Sequence, residues 1–231
     1  MFFKKNETKE CENFPVDVEV FAVLLKGSSL DKIEPFCDRF NKCFIVSDYD
    51  DELNSIGTFL KGKDITHFTN RSRQSTLSKD NYIKYKIKNI QTGQVFRWTH
   101  FRLIETFFHY KSLAIGLKVR PLPEIMLKYH LSMPEEYHLK FPNTGILSIM
   151  YSLIVIRPKI LWVFGLDFYS RPYMVNQTQG TPLSLEAQSD KLERLDLPKF
   201  VIDLIKDHPE TKVMMASYYE GWPELKNMTL V

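Results

Sequence analysis

The 231-residue chain is long enough to bury a substantial core, and its apolar fraction of 44% and charged fraction of 26% are ordinary for a globular protein. A net charge of +3 is too small to indicate a nucleic-acid partner. No signal peptide or membrane-spanning run is predicted, since the longest apolar stretch is residues 146–156. The cysteines show no CxxC or Cys/His spacing, which argues against zinc and favours a reducing, cytoplasmic location, with the inner-membrane surface as an alternative.

Apolar runs and helix-like periodicities alternate along the chain. A helix is predicted from Ser29 or Asp31 to residue 40, and further helices at residues 51–60, 101–110, 124–131, 143–156 and 197–205. Strands are predicted at residues 18–25, 43–47, 65–69, 112–119, 160–166 and 212–216. The polar residues 71–99 predict an irregular excursion that would suit a small lid. The alternation predicts one α/β domain over residues 1–231, with a mainly parallel sheet and helices on both faces.

Small and polar side chains follow the first three predicted strands at the point where each strand ends. Gly27 and Ser28 follow the first strand, Asp48 follows the second and Asn70 follows the third. Ligands of open α/β sheets bind outside the carboxyl ends of the strands, so these residues predict a nucleotide site at that edge. Because loops favour the same residue types, the prediction depends on their repetition over several strands.

Asn143, Thr144 and Gly145 open the helix predicted at residues 143–156. The first amides of a helix lack intrahelical partners and carry partial positive charge, and Gly145 would let a ligand approach them closely. A phosphate or a carboxylate could therefore bind at this helix start. The alternative is an ordinary helix cap formed by Asn143 or Thr144.

Two parts of the chain resemble bacterial sialyltransferases of glycosyltransferase family 42. Residues 143–145 (NTG) and 160–169 (ILWVFGLDFY) are similar to a T-S-G helix start and a following strand that ends in G-I-D-F-Y in that family. Residues 25–30 (LKGSSL) are similar to its G-N-G-P-S-L turn after the first strand. The resemblance extends over residues 18–70 and 141–175.

The resemblance implies a Rossmann-like α/β fold and transfer of sialic acid, or a related acidic sugar, from a CMP donor to a glycan hydroxyl with inversion. It implies no metal and no cofactor besides the nucleotide-sugar donor, and a glycan as the acceptor. Tyr169 and Tyr173 would donate hydrogen bonds to the leaving phosphate, a role that suits a phenol held at fixed geometry. Carried over by position, the donor-binding residues would be Gly27, Ser28, Asp48, Asn70, Asn143, Thr144 and Gly145.

Two positions depart from the family pattern. Asp48 stands where the family has asparagine, and a carboxylate repels a phosphate unless a cation intervenes or the carboxylate binds a ribose hydroxyl. The catalytic histidine of the family follows G-I-D-F-Y, but residues 170–204 contain no histidine, and His208 precedes a strand at its wrong end. Glu186 and Asp190 lie in the corresponding stretch, and a carboxylate whose pKa is raised by burial can serve as the base.

The missing histidine favours a second interpretation, in which the protein binds nucleotide or glycan without turnover. A third interpretation is a Rossmann-like pyrophosphokinase, with Mg²⁺ held by the D-x-D pattern of Asp48 and Asp50. Acidic patterns more often belong to a helix start, so the metal is not favoured.

The aromatic residues 217–223 would line the acceptor cleft, contact a membrane surface or pack on the sheet edge, and self-association is left open. No G-x-G-x-x-G follows the first strand, which argues against a dinucleotide oxidoreductase.

Overall fold

A computed structural model of the chain describes residues 18–69, 77–95, 117–134, 143–168, 170, 174–175 and 196–231. Every strand pairing in this part of the chain is parallel, and the strands follow the order β5-β4-β3-β2-β1-β6-β7-β8 in one sheet. The predicted parallel α/β fold is therefore confirmed. The strands are β1 (Val20–Leu24), β2 (Lys42–Val46), β3 (Asp64–Thr69), β4 (Asn89–Val95), β5 (Lys118–Leu122), β6 (Ile160–Phe164), β7 (Lys212–Ala216) and β8 (Met228–Leu230).

Helices cover both faces of the sheet, which is why the central strands are continuous apolar runs. In β1, Phe21 and Val23 face one buried cluster, whereas Ala22 and Leu24 face the other. The helix that follows β1 is a 3-10 helix, Ser28–Arg39, and it contains Pro35, which an α-helix interior does not tolerate. The α-helices are α1 (Asp50–Ile56), α2 (Lys79–Lys84), α3 (Glu124–Ser132), α4 (Thr144–Tyr151) and α5 (Leu197–Lys206).

Two helices end in a different form from the one in which they begin. The 3-10 turn Gly57–Leu60 continues α1, and the π-helical turn Ser152–Ile156 continues α4 as far as Arg157. Arg157 adopts a left-handed conformation with φ of 52° and stops the helix. Within the described part of the chain, no helix has the length and apolarity that crossing a bilayer requires.

The order of the strands reverses at β1, which lies between β2 and β6. The crevice outside the carboxyl ends of two such neighbouring strands is where ligands of open α/β sheets bind. Leu24 pairs with Phe164 at the ends of β1 and β6, so the two chains leave the sheet side by side. The fold therefore places residues 25–29 and 165–168 at the expected ligand edge.

The prediction of an irregular excursion at residues 71–99 is wrong for α2 and β4. Helix α2 forms because the Ser78 hydroxyl caps its first turn by accepting from the Asn81 amide. Strand β4 forms between β3 and β5 although its sequence, NIQTGQV, is largely polar. The helix predicted at residues 101–110, the first part of the strand predicted at 112–119 and the lid interpretation of residues 96–99 lie outside the described residues.

Candidate functional site

The turns that follow β1 and β6 lie in direct contact. The Gly27 amide donates to the Gly165 carbonyl oxygen at 3.0 Å. A Cβ atom at residue 27 would lie 2.5 Å from that oxygen and 2.6 Å from Asp167 Oδ2. Since Gly27 has an ordinary φ of −64°, glycine is required there by the close approach of the two chains. Ser28 follows it as the first residue of the 3-10 helix.

Asp167 joins the carboxyl ends of three strands. Its Oδ2 accepts from the Ser29 amide at 2.8 Å, and its Oδ1 accepts from the Tyr218 amide at 2.8 Å. Oδ1 also accepts from the Ser29 hydroxyl at 2.5 Å and the Ser217 hydroxyl at 3.3 Å. The side chain is 2% exposed, and this set of donors is what allows a buried carboxylate to exist. No role was predicted for Asp167, although it lies in the GLDFY segment that carries the family resemblance.

A charged cluster of Lys26, Asp48 and Glu52 lies at the carboxyl ends of β1 and β2. Lys26 Nζ donates to the Asp48 carbonyl oxygen at 2.7 Å and to Asp48 Oδ1 at 3.1 Å. The same Nζ lies 3.6 Å from Glu52 Oε1. Burial raises the pKa of Glu52 to about 7, and the Lys26 ammonium opposes that rise. The Asp48 carboxylate is therefore paired with a cation, the Lys26 ammonium.

His67 supports the turn that presents Asp48. Its Nε2 lies 2.6 Å from the Ser47 carbonyl oxygen, and its Nδ1 lies 2.8 Å from the Tyr82 hydroxyl. The neutral tautomer that donates through Nε2 and accepts through Nδ1 satisfies both contacts. Ser47 has a φ of 67°, a left-handed conformation that costs energy for serine. His67 therefore stabilises a strained residue directly before Asp48.

We expect His67 to make the stability of the fold depend on pH. Burial lowers the pKa of His67 from 6.5 to about 4, so the unfolded chain binds more protons between these values. The contribution of His67 is fully present above pH 6.5 and is lost as the pH falls towards 4. A tenfold change in proton affinity corresponds to about 1.4 kcal/mol, so the shift from 6.5 to about 4 is worth about 3.5 kcal/mol in full, of which about 2.5 kcal/mol is lost by about pH 4.5.

The measurement is urea unfolding of the wild type and His67→Gln at about pH 7.5 and about pH 4.5. The difference in unfolding free energy between the two proteins should shrink by about 2.5 kcal/mol at the lower pH. Taking the difference removes the pH dependence of every other group that titrates alike in both proteins. A difference that stays constant over this range would contradict the burial of a neutral His67.

Asp50 is directed towards α2 and not towards Asp48. Its Oδ1 accepts from the Asn81 side-chain amide at 2.6 Å and the Ser78 hydroxyl at 3.1 Å, and its Oδ2 accepts from the Ser78 amide at 2.9 Å. Within residues 18–69, 77–95 and the other described ranges, no group of three His, Cys, Asp or Glu side chains is arranged to hold a metal ion. The contacts of Asp50 connect the start of α1 to the start of α2.

Helix α4 begins beside the end of β1. A Cβ atom at Gly145 would lie 3.2 Å from Leu25 Cδ2, so the helix start packs on the residue that leads into the Gly27 turn. Asn143 Oδ1 accepts from the Ile146 amide at 2.9 Å, which makes Asn143 a helix cap. Thr144 follows as the first helical residue. The start of α4 and the β1 turn therefore lie at the same edge of the sheet.

The aromatic tail packs on the end of β6. The Phe168 ring lies 5.0 Å from the Tyr219 ring and 5.3 Å from the Trp222 ring, measured between centroids. Trp222 is buried, so of the three interpretations of residues 217–223 the contacts favour packing on the sheet edge.

His208 lies before β7, where its Nδ1 is 2.9 Å from the Leu204 carbonyl oxygen. Its position at the amino end of the strand agrees with the prediction that it is not at the site.

The structure brings together one part of the predicted site. Gly27 and Ser28 follow β1, and Asp48 follows β2. The start of α4 packs on Leu25, directly after β1. The remaining predicted residues lie outside the described residues, and they are Asn70, Tyr169, Tyr173, Glu186 and Asp190. The residues that the sequence analysis missed are Lys26, Glu52 and Asp167.

The chain has a Rossmann-like α/β fold of the kind found in sialyltransferases. No model of a known protein family and no curated protein matches the sequence. Among solved structures, it is similar to "Crystal structure of the sialyltransferase CST-II in complex with trisaccharide acceptor and CMP", with a TM-score of 0.53. The two share 16% sequence identity, and the match covers 85% of this chain and 80% of that chain. At this identity the similarity establishes the fold.

Proposed function

We propose that the protein is a glycosyltransferase that transfers sialic acid, or a related acidic sugar, from a CMP donor to a hydroxyl of a glycan acceptor with inversion. The observation that carries the proposal is the convergence of the Gly27 turn, the Gly165 turn and the α4 start at one edge of a sialyltransferase-like sheet. CMP and a trisaccharide acceptor are bound by the sialyltransferase that shares this fold.

The donor phosphate would bind at the start of α4, where the backbone amides carry the partial positive charge of a helix N-terminus. Gly27 would contribute indirectly, because it is buried and its amide donates to the Gly165 carbonyl oxygen, which holds the turns after β1 and β6 together. Asn143 already uses its side-chain oxygen as a cap, so its contribution would come from positioning the amides of Thr144 and Gly145. Ser28, Asp48 and Asn70 complete the proposed donor site, without a metal ion.

The proposed transfer forms a glycosidic bond to the acceptor, breaks the bond between the anomeric carbon and the donor phosphate, and moves one proton from the acceptor hydroxyl to a base. The acceptor hydroxyl oxygen attacks the anomeric carbon from the face opposite the donor phosphate, and the bond to the phosphate oxygen breaks, which inverts the configuration. Glu186 or Asp190 would take the proton from the hydroxyl. Tyr169 and Tyr173 would donate hydrogen bonds to the departing CMP phosphate, where negative charge develops.

The first test is the binding of CMP. A ligand present at about a hundredfold excess over its Kd stabilises a protein by about 2.7 kcal/mol. For a chain of this size, that corresponds to a rise in Tm of about 5–10 °C. We expect this rise with CMP and not with UDP, measured by thermal shift. The absence of any rise with CMP would contradict the proposal.

The second test is turnover, because residues 170–204 contain no histidine and a binding-only homologue is the second candidate function. CMP release from CMP-sialic acid, followed by chromatography with and without glycan acceptors, distinguishes the two. Release that depends on an acceptor supports the transferase. CMP binding without release across a panel of acceptors selects the binding-only homologue, and tight binding of ATP with Mg²⁺ selects the pyrophosphokinase.

A further inference from the structure

We propose that Asp48 selects the donor through its hydroxyl groups, and that its carboxylate accepts hydrogen bonds from the CMP ribose or from the transferred sugar. This inference rests on the proposed CMP donor and names the chemical group of the donor that Asp48 recognises. The two sources of the hydroxyls share one chemistry, and the experiment below distinguishes them.

The Asp48 side chain has one carboxylate oxygen in use and one available. Its Oδ1 accepts from Lys26 Nζ at 3.1 Å, whereas Oδ2 has no hydrogen-bond or ion-pair partner within the part of the chain that the structure describes. The side chain is 48% exposed and follows β2 at the carboxyl end of the sheet. A ligand group at this edge can therefore reach the carboxylate without displacing Lys26.

The backbone at Asp48 is held in place from both neighbouring strands. On the β3 side, the Ser47 amide donates to the Phe68 carbonyl oxygen at 2.9 Å, and the Ser47 carbonyl oxygen lies 2.6 Å from His67 Nε2. On the β1 side, Lys26 Nζ donates to the Asp48 carbonyl oxygen at 2.7 Å. These contacts fix the carboxylate before a ligand arrives, so little conformational entropy is lost when the ligand binds.

The stability of the fold does not require the Asp48 carboxylate. An ion pair with a half-exposed partner contributes little to stability, because water competes for the exposed charge. The bond from Lys26 to the Asp48 carbonyl oxygen belongs to the backbone and remains when the side chain is replaced. A substitution at Asp48 should therefore change Tm by less than about 2 °C, so that its effect on ligand binding can be measured on a folded protein.

The chemistry of a carboxylate and the order of the strands limit what Asp48 can bind. An ionised carboxylate only accepts hydrogen bonds and repels a phosphate, so its ligand partner is a donor such as a hydroxyl. β2 lies directly beside β1, and neighbouring strands are about 4.8 Å apart. A CMP-sugar carries a sugar on each side of its phosphate. A donor that lies along the sheet edge, with its phosphate at the α4 start beside β1, therefore places one of these two sugars at the end of β2.

The experiment is calorimetric titration of CMP, 2′-deoxy-CMP, 3′-deoxy-CMP and CMP-sialic acid, without acceptor, into the wild type, Asp48→Ala and Asp48→Asn. The affinity for CMP relative to its deoxy forms reports on the ribose, because these ligands carry the same phosphate. The affinity for CMP-sialic acid relative to CMP reports on the transferred sugar. Both of these ligands carry about two negative charges at about pH 7.5, so removing the Asp48 charge changes their affinities alike. Asp51→Asn, which removes an exposed carboxylate from the first turn of α1, is the matched control.

One of the two affinity ratios should fall by at least about tenfold in Asp48→Ala, because a hydrogen bond to a charged group is lost. A fall in the first ratio assigns Asp48 to the ribose, and a fall in the second assigns it to the transferred sugar. Asp48→Asn, which keeps the size of the side chain and one acceptor oxygen, should show a smaller fall, and Asp51→Asn should show none. Two ratios that stay within about twofold of the wild type in Asp48→Ala overturn this inference alone. No binding of CMP or CMP-sialic acid by the wild type overturns the proposed function with it.

Discussion

Replacing Asp167 with alanine is expected to destabilise the protein by about 3–5 kcal/mol, because the change leaves several buried donors without an acceptor. The Ser29 and Tyr218 amides both lose a hydrogen bond of 2.8 Å. These donors belong to the segments after β1 and β7, which Asp167 connects to the end of β6. We also expect loss of CMP binding, because the β1 turn is held in place through Ser29.

Unfolding in urea measures this effect, and two further variants show its cause. Asp167→Asn keeps the size of the side chain and one acceptor oxygen, so its destabilisation should lie between those of the wild type and the alanine variant. Glu220→Ala changes an exposed carboxylate near the same tail and should alter stability by less than about 0.5 kcal/mol. An Asp167→Ala protein within about 1 kcal/mol of the wild type would contradict the structural role of this carboxylate.

The central strands could be predicted from the sequence because burial on both faces makes them apolar without interruption. β1, β2 and β6 belong to this class. β4 does not, since it carries buried Gln91 and Thr92. The Gln91 side-chain amide donates to carbonyl oxygens of Thr92 and Pro121. A polar strand of this kind depends on partners far along the chain, which no local pattern reveals.

The residues of the candidate site also fall into those that could be predicted from the sequence and those that could not. Gly27 and the α4 start could be predicted, because glycine turns and helix caps have local signatures and the strand order brings them to one edge. Lys26 and Glu52 could not, because a lysine in a turn and a glutamate in the first turn of a helix are ordinarily solvated. Only the contact between β1 and α1 shows that Glu52 is buried and that Lys26 is its partner.

Gly165→Ala should be the most damaging single methyl addition at the site. Gly165 has a φ of +77°, and a Cβ atom there would lie 2.6 Å from the Leu25 carbonyl oxygen and 3.1 Å from the Gly27 nitrogen. Both contacts are with backbone atoms, which cannot move away without separating the turns after β1 and β6. We expect a loss of more than about 3 kcal/mol, measured by urea unfolding, or a protein that fails to fold.

Gly62→Ala is the matched control, because it imposes the same backbone strain without the contact. Gly62 has a φ of +79°, and no atom lies within 4 Å of the added Cβ. Left-handed strain alone costs an alanine about 1–2 kcal/mol, so the excess loss at Gly165 measures the close approach of the two turns. Equal losses at the two positions would show that the turns can separate freely. Because Gly27 and Asp167 are held by this same approach, the folded fraction of the Gly165 variant should also bind CMP poorly, whereas Gly62→Ala should bind it as the wild type does.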